Sequence, residues 1–144
     1  MALPELPRHL TLELVTPDHA VAHEQVDEVQ LPGVKGYFGV LPGHTPLLAV
    51  LGVGQMWYRR GQDKTFVAID NGLAEVLPDR VTVLCRNAER ADEIDIARAE
   101  AARTRAEAAL KKPEMKPEEF ERVRIALLKS LTRLQVASKT RMRG

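Results

Sequence analysis

The 144-residue sequence contains one cysteine, few aromatic residues and no long apolar run. Because Cys85 has no second cysteine to pair with, an internal disulfide is excluded, which fits a reducing cytoplasm. Within the run RVTVLC, a small buried residue is a better interpretation of Cys85 than a nucleophile. No apolar stretch approaches the roughly 18 residues of a membrane span, and the N-terminus lacks a signal-peptide pattern. We therefore expect any association with a membrane to depend on a protein partner.

The net charge of +1 hides an uneven distribution of charged residues. Residues 1–88 carry seven Lys/Arg against ten Asp/Glu, whereas residues 89–144 carry fourteen against ten. No acidic residue follows Glu121, and the basic residues after it are Arg122, Arg124, Lys129, Arg133, Lys139, Arg141 and Arg143. Nucleic acid is one candidate partner for this basic end, but the chain has few aromatic residues for base stacking. Docking on an acidic protein surface explains the pattern at least as well.

Short β-rich runs, several with period-2 alternation, fill residues 10–87. The runs are LTLEL, VDEVQL, QMWYRR, KTFVAI, LAEVL and RVTVLC. Turn residues separate them at intervals of about ten residues, as in TPD, LPG, RRGQDK, DNG and LPDR. Many short strands at this spacing indicate a β-sandwich or a barrel.

A helical pattern replaces the strands near residue 92. Strong helix formers run from Asp92 to Lys112 without Gly or Pro, and Pro117 suits the first turn of a second helix. The second helix carries an apolar stripe of Phe120, Val123, Leu127, Leu131 and Leu134. Two helices of about 30 Å each, joined by a short connection, predict an antiparallel hairpin. The sequence thus predicts an α+β chain with domains at residues 1–88 and 89–144.

The first predicted helix offers mainly alanines to the hairpin interface. They are Ala99, Ala102, Ala106 and Ala109. Each buries one methyl group, worth about 0.8 kcal/mol, so we expect the hairpin to need a partner surface. Helices held by so little apolar area detach at small cost, which favours a role as a conformational switch.

His44 lies in the glycine- and proline-rich stretch GYFGVLPGHTPLL and is the first candidate for chemistry. No orienting carboxylate or serine elbow accompanies it locally. The four histidines lack a metal-binding spacing, and the stretch lacks the Lys and Ser/Thr of a P-loop. We therefore predict no catalytic residue and no metal site. A rigid surface corner, with a positive φ at Gly39 or Gly43, explains the stretch better.

The stretch EIDIARAEAARTR is the second candidate, for ligand binding. Asp95 and Arg98 are helical neighbours, and Arg105 lies on a similar face. Lys129 and Arg133 of the returning helix would project to the same side. A carboxylate beside converging cations suits a nucleotide, with the cations on its phosphates. The alternative is a solvated face with ordinary helical ion pairs.

Five segments occur in an order and at a spacing typical of one family. They are LVTPD (14–18), VDEVQLPG (26–33), GYFGVLPGHTPLL (36–48), NGLAEVLPDRVTVL (71–84) and EIDIARA (93–99). On these segments the chain, from Leu10 to about Lys139, resembles the epsilon subunit of bacterial F-type ATP synthase. The resemblance implies an N-terminal antiparallel β-sandwich of about ten strands, followed by a C-terminal antiparallel two-helix hairpin.

The resemblance further implies a non-catalytic subunit of the central stalk that requires no cofactor. The sandwich would bind the gamma subunit and the membrane-embedded c-ring, coupling proton translocation to rotary ATP synthesis. The hairpin would inhibit ATP hydrolysis when it extends toward the alpha and beta subunits, and would allow turnover when folded. Such a subunit would lie peripherally on the cytoplasmic face of the bacterial inner membrane, attached only through the complex.

The resemblance also implies roles for individual residues. Contact with the c-ring would fall to Lys35, Tyr37 and His44. Contact with the beta subunit would fall to Arg122, Arg124, Lys129 and Arg133. A regulatory ATP would be bound by Glu89, Asp95, Arg98, Ala99, Arg105, Lys129 and Arg133. Lys129 stands where family members that bind ATP best have arginine, so this position lacks the planar fork that contacts phosphate bidentately.

A second interpretation remains from the residues alone. The basic hairpin would also suit a free-standing module that senses nucleotides or binds nucleic acid. An enzyme is disfavoured by the missing P-loop.

Overall fold

Residues 5–142 are described by a computed structural model, with side chains described as far as Thr140. The predicted basic residue Arg143 and the side chain of Arg141 lie outside this description. The strands are β1 (Leu10–Val15), β2 (Ala20–Val26), β3 (Glu28–Gly33), β4 (Gly36–Val40), β5 (Leu47–Leu51), β6 (Gly54–Arg60), β7 (Asp63–Leu77) and β8 (Arg80–Arg90). A short 3-10 turn (Ala91–Glu93) leads to α1 (Ile96–Leu110) and α2 (Pro117–Met142). The predicted α+β order, a β domain followed by a two-helix hairpin, is confirmed.

The strand count is eight in the described chain rather than about ten. Strand β7 joins the runs KTFVAI and LAEVL, which the sequence pattern separates at DNG. Asn71 takes a φ of 43° there, a conformation that asparagine adopts more readily than most residues. Asp70 and Gly72, on either side of it, still pair with β8. The predicted turn is therefore a local irregularity within one long strand.

The long strands β7 and β8 take part in both layers of the sandwich. The first half of β7 pairs with β6 and the second half with β5, while β8 runs beside residues 67–77. Strands β3 and β4 extend the β6 layer, and β1 and β2 extend the other. Pairing is antiparallel except between β1 and β8, which run parallel from the Thr11–Arg80 pair to the Val15–Leu84 pair.

The hydrophobic core lies between these two layers. Leu10, Leu12 and Leu14 of β1 are fully buried and alternate with half-buried residues, as expected of a strand with one face inward. Cys85 is buried in the same core. Its burial raises the thiol pKa to about 11, so the thiol stays protonated at neutral pH and is not a nucleophile.

Strand β7 is buried on both of its faces. Residues 67–70 are buried in succession, although alternate side chains of a strand point to opposite sides. Val67 and Ile69 pack in the sandwich core. Ala68 points the other way and belongs to a second apolar cluster with Ile94, Val136 and Ala137. The helical hairpin therefore covers the outer face of the first half of β7.

The two helices differ in length, so the prediction of equal helices is wrong. Helix α1 has 15 residues and α2 has 26. The acidic residues Asp92 and Glu93 belong to the 3-10 turn, and α1 begins only after Asp95. The Asp95 carboxylate accepts a hydrogen bond of 3.1 Å from the Arg98 N–H and so caps α1. At 1.5 Å per residue α2 is about 39 Å long. Neither helix has the length and apolar character, within residues 5–142, to cross a bilayer.

The predicted apolar stripe of α2 is used only in part. Phe120 and Leu131 are exposed, and the other three members are half-buried. The residues that α2 buries most completely are instead small or polar: Ser130, Thr132, Val136 and Ala137. A short α1 faced with alanine gives the large side chains of α2 little to pack against.

Gly72 is a sensitive position for the stability of the sandwich. A Cβ atom added there would lie 2.6 Å from the Leu84 carbonyl oxygen, a backbone atom that cannot move independently. We expect Gly72→Ala to lower the free energy of unfolding by about 2 kcal/mol, as overpacking does. Chemical denaturation of the full chain measures the change.

Gly39→Ala is the matched control, since it also places alanine in a strand. Its Cβ would meet nothing closer than a Glu28 carboxylate oxygen at 4.0 Å. We expect it to change stability by less than about 0.5 kcal/mol. Equal effects of the two substitutions would contradict the assignment of a close contact at Gly72.

Candidate functional site

A cavity of about 550 Å³ lies between the outer face of the sheet and the helical hairpin. Strands β7 and β8 supply one wall, and α1 and α2 supply the other. Its charged lining residues are two carboxylates and four cations: Asp70, Glu89, Arg98, Arg105, Lys129 and Arg133. Asn87, Ser130 and Thr132 add neutral polar groups. The lining therefore carries an excess of positive charge.

Asp70 is the most buried charged residue of the cavity, with 6% of its surface exposed. It comes from β7, where the alternation that turns Ile69 into the core turns Asp70 toward the hairpin. Its Oδ2 lies 2.9 Å from Lys129 Nζ and accepts a hydrogen bond of 3.2 Å from Asn87 Nδ2. Its Oδ1 is buried and has no hydrogen-bond partner within the described chain.

Glu89 and Arg133 form a second ion pair between the sheet and α2. Arg133 Nη2 donates to Glu89 Oε2 over 3.2 Å, and Nε lies 2.8 Å from Oε1. The buried Nε–H does not point at that oxygen and makes no hydrogen bond within the described chain. The pair therefore consists of one hydrogen bond and one close contact between opposite charges.

Arg98 and Arg105 of α1 complete the cationic lining. No carboxylate of residues 5–142 lies within 4 Å of either guanidinium, whereas the Lys129 ammonium and the Arg133 guanidinium each have one. Free guanidinium groups are suited to bidentate contacts with phosphate or carboxylate oxygens. The arrangement is able to bind an anion between α1 and the sheet.

The structure brings together five of the seven residues predicted to bind nucleotide. Glu89, Arg98, Arg105, Lys129 and Arg133 all line the cavity. Asp95 and Ala99 do not: Asp95 caps α1, and Ala99 is fully buried. Sequence reasoning missed Asp70 and Asn87, because it placed Asp70 in a turn. No feature of the sequence pointed to Asp70, because DNG is a turn signal and a residue assigned to a turn has no predictable face.

The residues predicted to contact the c-ring lie along one exposed edge of the sheet. Strand β4 is the last strand in the sheet order and pairs only with β3 in the described chain. Lys35 precedes β4, Tyr37 lies within it and His44 follows it. Tyr37 and the neighbouring Leu41 are more than half exposed. An edge strand with exposed aromatic and apolar groups suits contact with another protein.

The His44 corner has no catalytic partner among the described residues. His44 Nδ1 lies 2.6 Å from the carbonyl oxygen of Thr45, in its own loop. The positive φ of the corner belongs to Gly43, at 89°, whose N–H donates to the Pro78 carbonyl. Asp27, one of the two carboxylates nearest to His44 in sequence, instead accepts a 2.6 Å hydrogen bond from the Gly61 N–H. That bond, with a second from His9, lowers the pKa of Asp27.

Within residues 5–142, no group of three or more His, Cys, Asp or Glu side chains is arranged to hold a metal ion.

The residues predicted to contact the beta subunit divide between two environments. Lys129 and Arg133 face the sheet and are engaged by Asp70 and Glu89. Arg122 is exposed, and the Arg124 Nε donates over 3.1 Å to Glu121 of the same helix. In the docked hairpin, Lys129 and Arg133 are therefore engaged by carboxylates of the sheet, whereas Arg122 is exposed and Arg124 is paired within α2.

We expect Glu89→Gln to loosen the docked hairpin. Removing the carboxylate leaves the half-buried Arg133 guanidinium without its charge partner, at a cost of about 1 kcal/mol. Amide hydrogen exchange in α2 should then quicken roughly fivefold. Glu121→Gln is the control, because its pair with Arg124 is exposed and lies within one helix. Unchanged exchange in Glu89→Gln would contradict a docking role for the pair.

Two family models cover most of the chain. The model described as the ATP synthase, Delta/Epsilon chain, beta-sandwich domain matches residues 9–91. The model described as the ATP synthase, Delta/Epsilon chain, long alpha-helix domain matches residues 92–138. The division falls just after β8 ends at Arg90.

Individual proteins agree with the family models. The ATP synthase epsilon chain 2 of Syntrophotalea carbinolica is 48% identical over 130 residues, which are 90% of this chain and 94% of that protein. The ATP synthase epsilon chain of Syntrophobacter fumaroxidans is 51% identical over 131 residues, 91% and 97% of the two chains.

A solved chain shares the fold. It belongs to the cryo-EM structure of the Euglena gracilis mitochondrial ATP synthase and superposes with a TM-score of 0.81 at 24% identity, covering 95% of this chain and 86% of that one. Two consecutive domain matches and near-full-length relatives show that this chain belongs to the ATP synthase delta/epsilon family.

Proposed function

We propose that this chain is the non-catalytic epsilon subunit in the central stalk of an F-type ATP synthase. The observation that carries the proposal is the match of both family domains, in order, from residue 9 to residue 138. In this role the sandwich binds the gamma subunit and stands on the c-ring, coupling proton translocation to rotary ATP synthesis. The exposed edge at Lys35, Tyr37 and His44 supports the c-ring contact. The complex places the subunit peripherally on the cytoplasmic face of the bacterial inner membrane.

The hairpin acts as a regulator that inhibits ATP hydrolysis when it leaves the sandwich. The contact that would have to break is partly polar, since α2 buries Ser130 and Thr132 there beside one small apolar cluster around Val136. Undocking would free Lys129 and Arg133 from their carboxylates. They would then join Arg122 and Arg124 as a basic surface toward the alpha and beta subunits, as electrostatic complementarity requires.

The cavity is the site for a regulatory ATP. Arg98 and Arg105 offer free guanidinium groups, and the volume of about 550 Å³ falls in the range of small-molecule sites. A ligand that bridges α1, α2 and the sheet would stabilise the docked hairpin by mass action. Bound ATP would then favour the folded, non-inhibitory form.

Co-purification tests the subunit assignment. The affinity-tagged chain, drawn from native membranes in mild detergent, should bring the gamma and c subunits with it. Lys35→Ala combined with His44→Ala should reduce the c subunit relative to gamma, because the sheet edge loses two contacts. Gln62→Ala, in the exposed turn between β6 and β7, serves as control. Recovery of nucleic acid without either subunit would refute the assignment.

Truncation tests the regulatory role. A chain that ends at Arg90 keeps the whole of β8 and loses both helices. The complex that contains it should assemble, and its ATP hydrolysis should rise on the order of fivefold, a usual size for coupling between sites. Steady-state hydrolysis by the assembled complex gives the measurement. Hydrolysis equal to that of the full-length complex would show that the hairpin does not inhibit.

A further inference from the structure

One of the cations that line the cavity, Lys129, already forms an ion pair with a carboxylate of the protein, Asp70. Lys129 is 42% exposed at its side chain and faces the cavity, yet its Nζ lies 2.9 Å from Oδ2 of the buried Asp70. A ligand phosphate that approached Lys129 would therefore meet an ammonium group that already has a counter-charge. Arg98 and Arg105, on the opposite helix, have no carboxylate within 4 Å among residues 5–142.

The same carboxylate is incompletely satisfied. Its Oδ2 has Lys129 and Asn87 as partners, but its buried Oδ1 has none in the described chain. If a phosphate took Lys129, Asp70 would keep only the neutral amide of Asn87 beside it. A buried charge without a charged partner is costly. Binding of a polyphosphate and pairing of Asp70 with Lys129 are therefore in conflict.

We propose that Asp70 acts as an internal competitor, standing in for a ligand phosphate at Lys129. When the cavity contains no anion, the Asp70–Lys129 pair joins α2 to β7 and keeps the hairpin docked. When a polyphosphate binds, it must displace this pair, so its affinity is lower than the four cations alone would give. This inference rests on the nucleotide site proposed above. The strength of the Asp70–Lys129 pair would then determine how strongly docking of the hairpin depends on the ligand.

The proposal predicts opposite effects of one substitution. Asp70→Asn keeps the size of the side chain and an oxygen that can accept from Asn87, but it removes the negative charge. Docking without ligand should weaken, because Lys129 loses its partner. Binding of a polyphosphate should strengthen, because a repulsive charge leaves the cavity and Lys129 is free. A purely structural role for Asp70 would weaken docking and binding together.

The test uses the full chain and two probes, inorganic tripolyphosphate and ATP. Titration calorimetry gives the dissociation constants, and hydrogen exchange of α2 without ligand gives the docking. In Asp70→Asn we expect tripolyphosphate to bind about tenfold more tightly, since a unit charge within several ångströms changes anion binding by at least a decade. Exchange in α2 should quicken by a similar factor.

Glu75→Gln is the matched control. It removes one negative charge from the same strand, at an exposed position on the half of β7 that pairs with β5. Both probes and the exchange rates should stay within about twofold of the unchanged protein, because solvent and salt screen the distant charge.

Two results would overturn the proposal. One is a tripolyphosphate affinity in Asp70→Asn that equals or falls below that of the unchanged chain. The other is no binding of tripolyphosphate by either protein. The subunit assignment would survive both, provided that the co-purification and truncation experiments give their expected results, so failures of the two proposals are distinguishable.

Discussion

The alternation of side chains along β7 is the constraint on which the rest of the molecule depends. One strand contributes Val67 and Ile69 to the sandwich core and Ala68 and Asp70 to the surface beneath the helices. The two faces cannot be changed independently, because a shift of one residue would exchange them. The core thus fixes the strand, and the strand in turn fixes where the hairpin and its cavity lie.

The surface beneath the hairpin differs in kind from the core. It combines a small apolar cluster around Ala68 with two ion pairs and a cation–π contact of 5.1 Å between Lys139 Nζ and Phe66. The charged part of this surface would remain compatible with water after the helices leave. The hairpin can therefore separate from the sheet more easily than the two layers of the sandwich can separate from each other.

The sequence predicted the order of the elements well but not their junctions. Period-2 runs and helix formers located the strands and the two helices. The sequence DNG wrongly predicted a turn at Asn71. Strand β8 pairs with the residues on both sides of Asn71, so the strand continues through it. Asp70 could not be found for the same reason: a residue assigned to a turn has no predictable face. The convergence of Arg98 and Arg133 was predicted because both lie on regular helices.

The parallel pair of β1 and β8 has a consequence for the order of folding. It joins Thr11 to Arg80, the most distant strand pairing along the sandwich, and such non-local contacts form late because loop closure costs entropy. During synthesis one edge of β1 can pair early with β2, but its other edge must wait for β8, which is the last strand to be made. The first strand is thus locked only when the whole domain has been synthesised. The helices then emerge onto a sheet whose outer face is already complete.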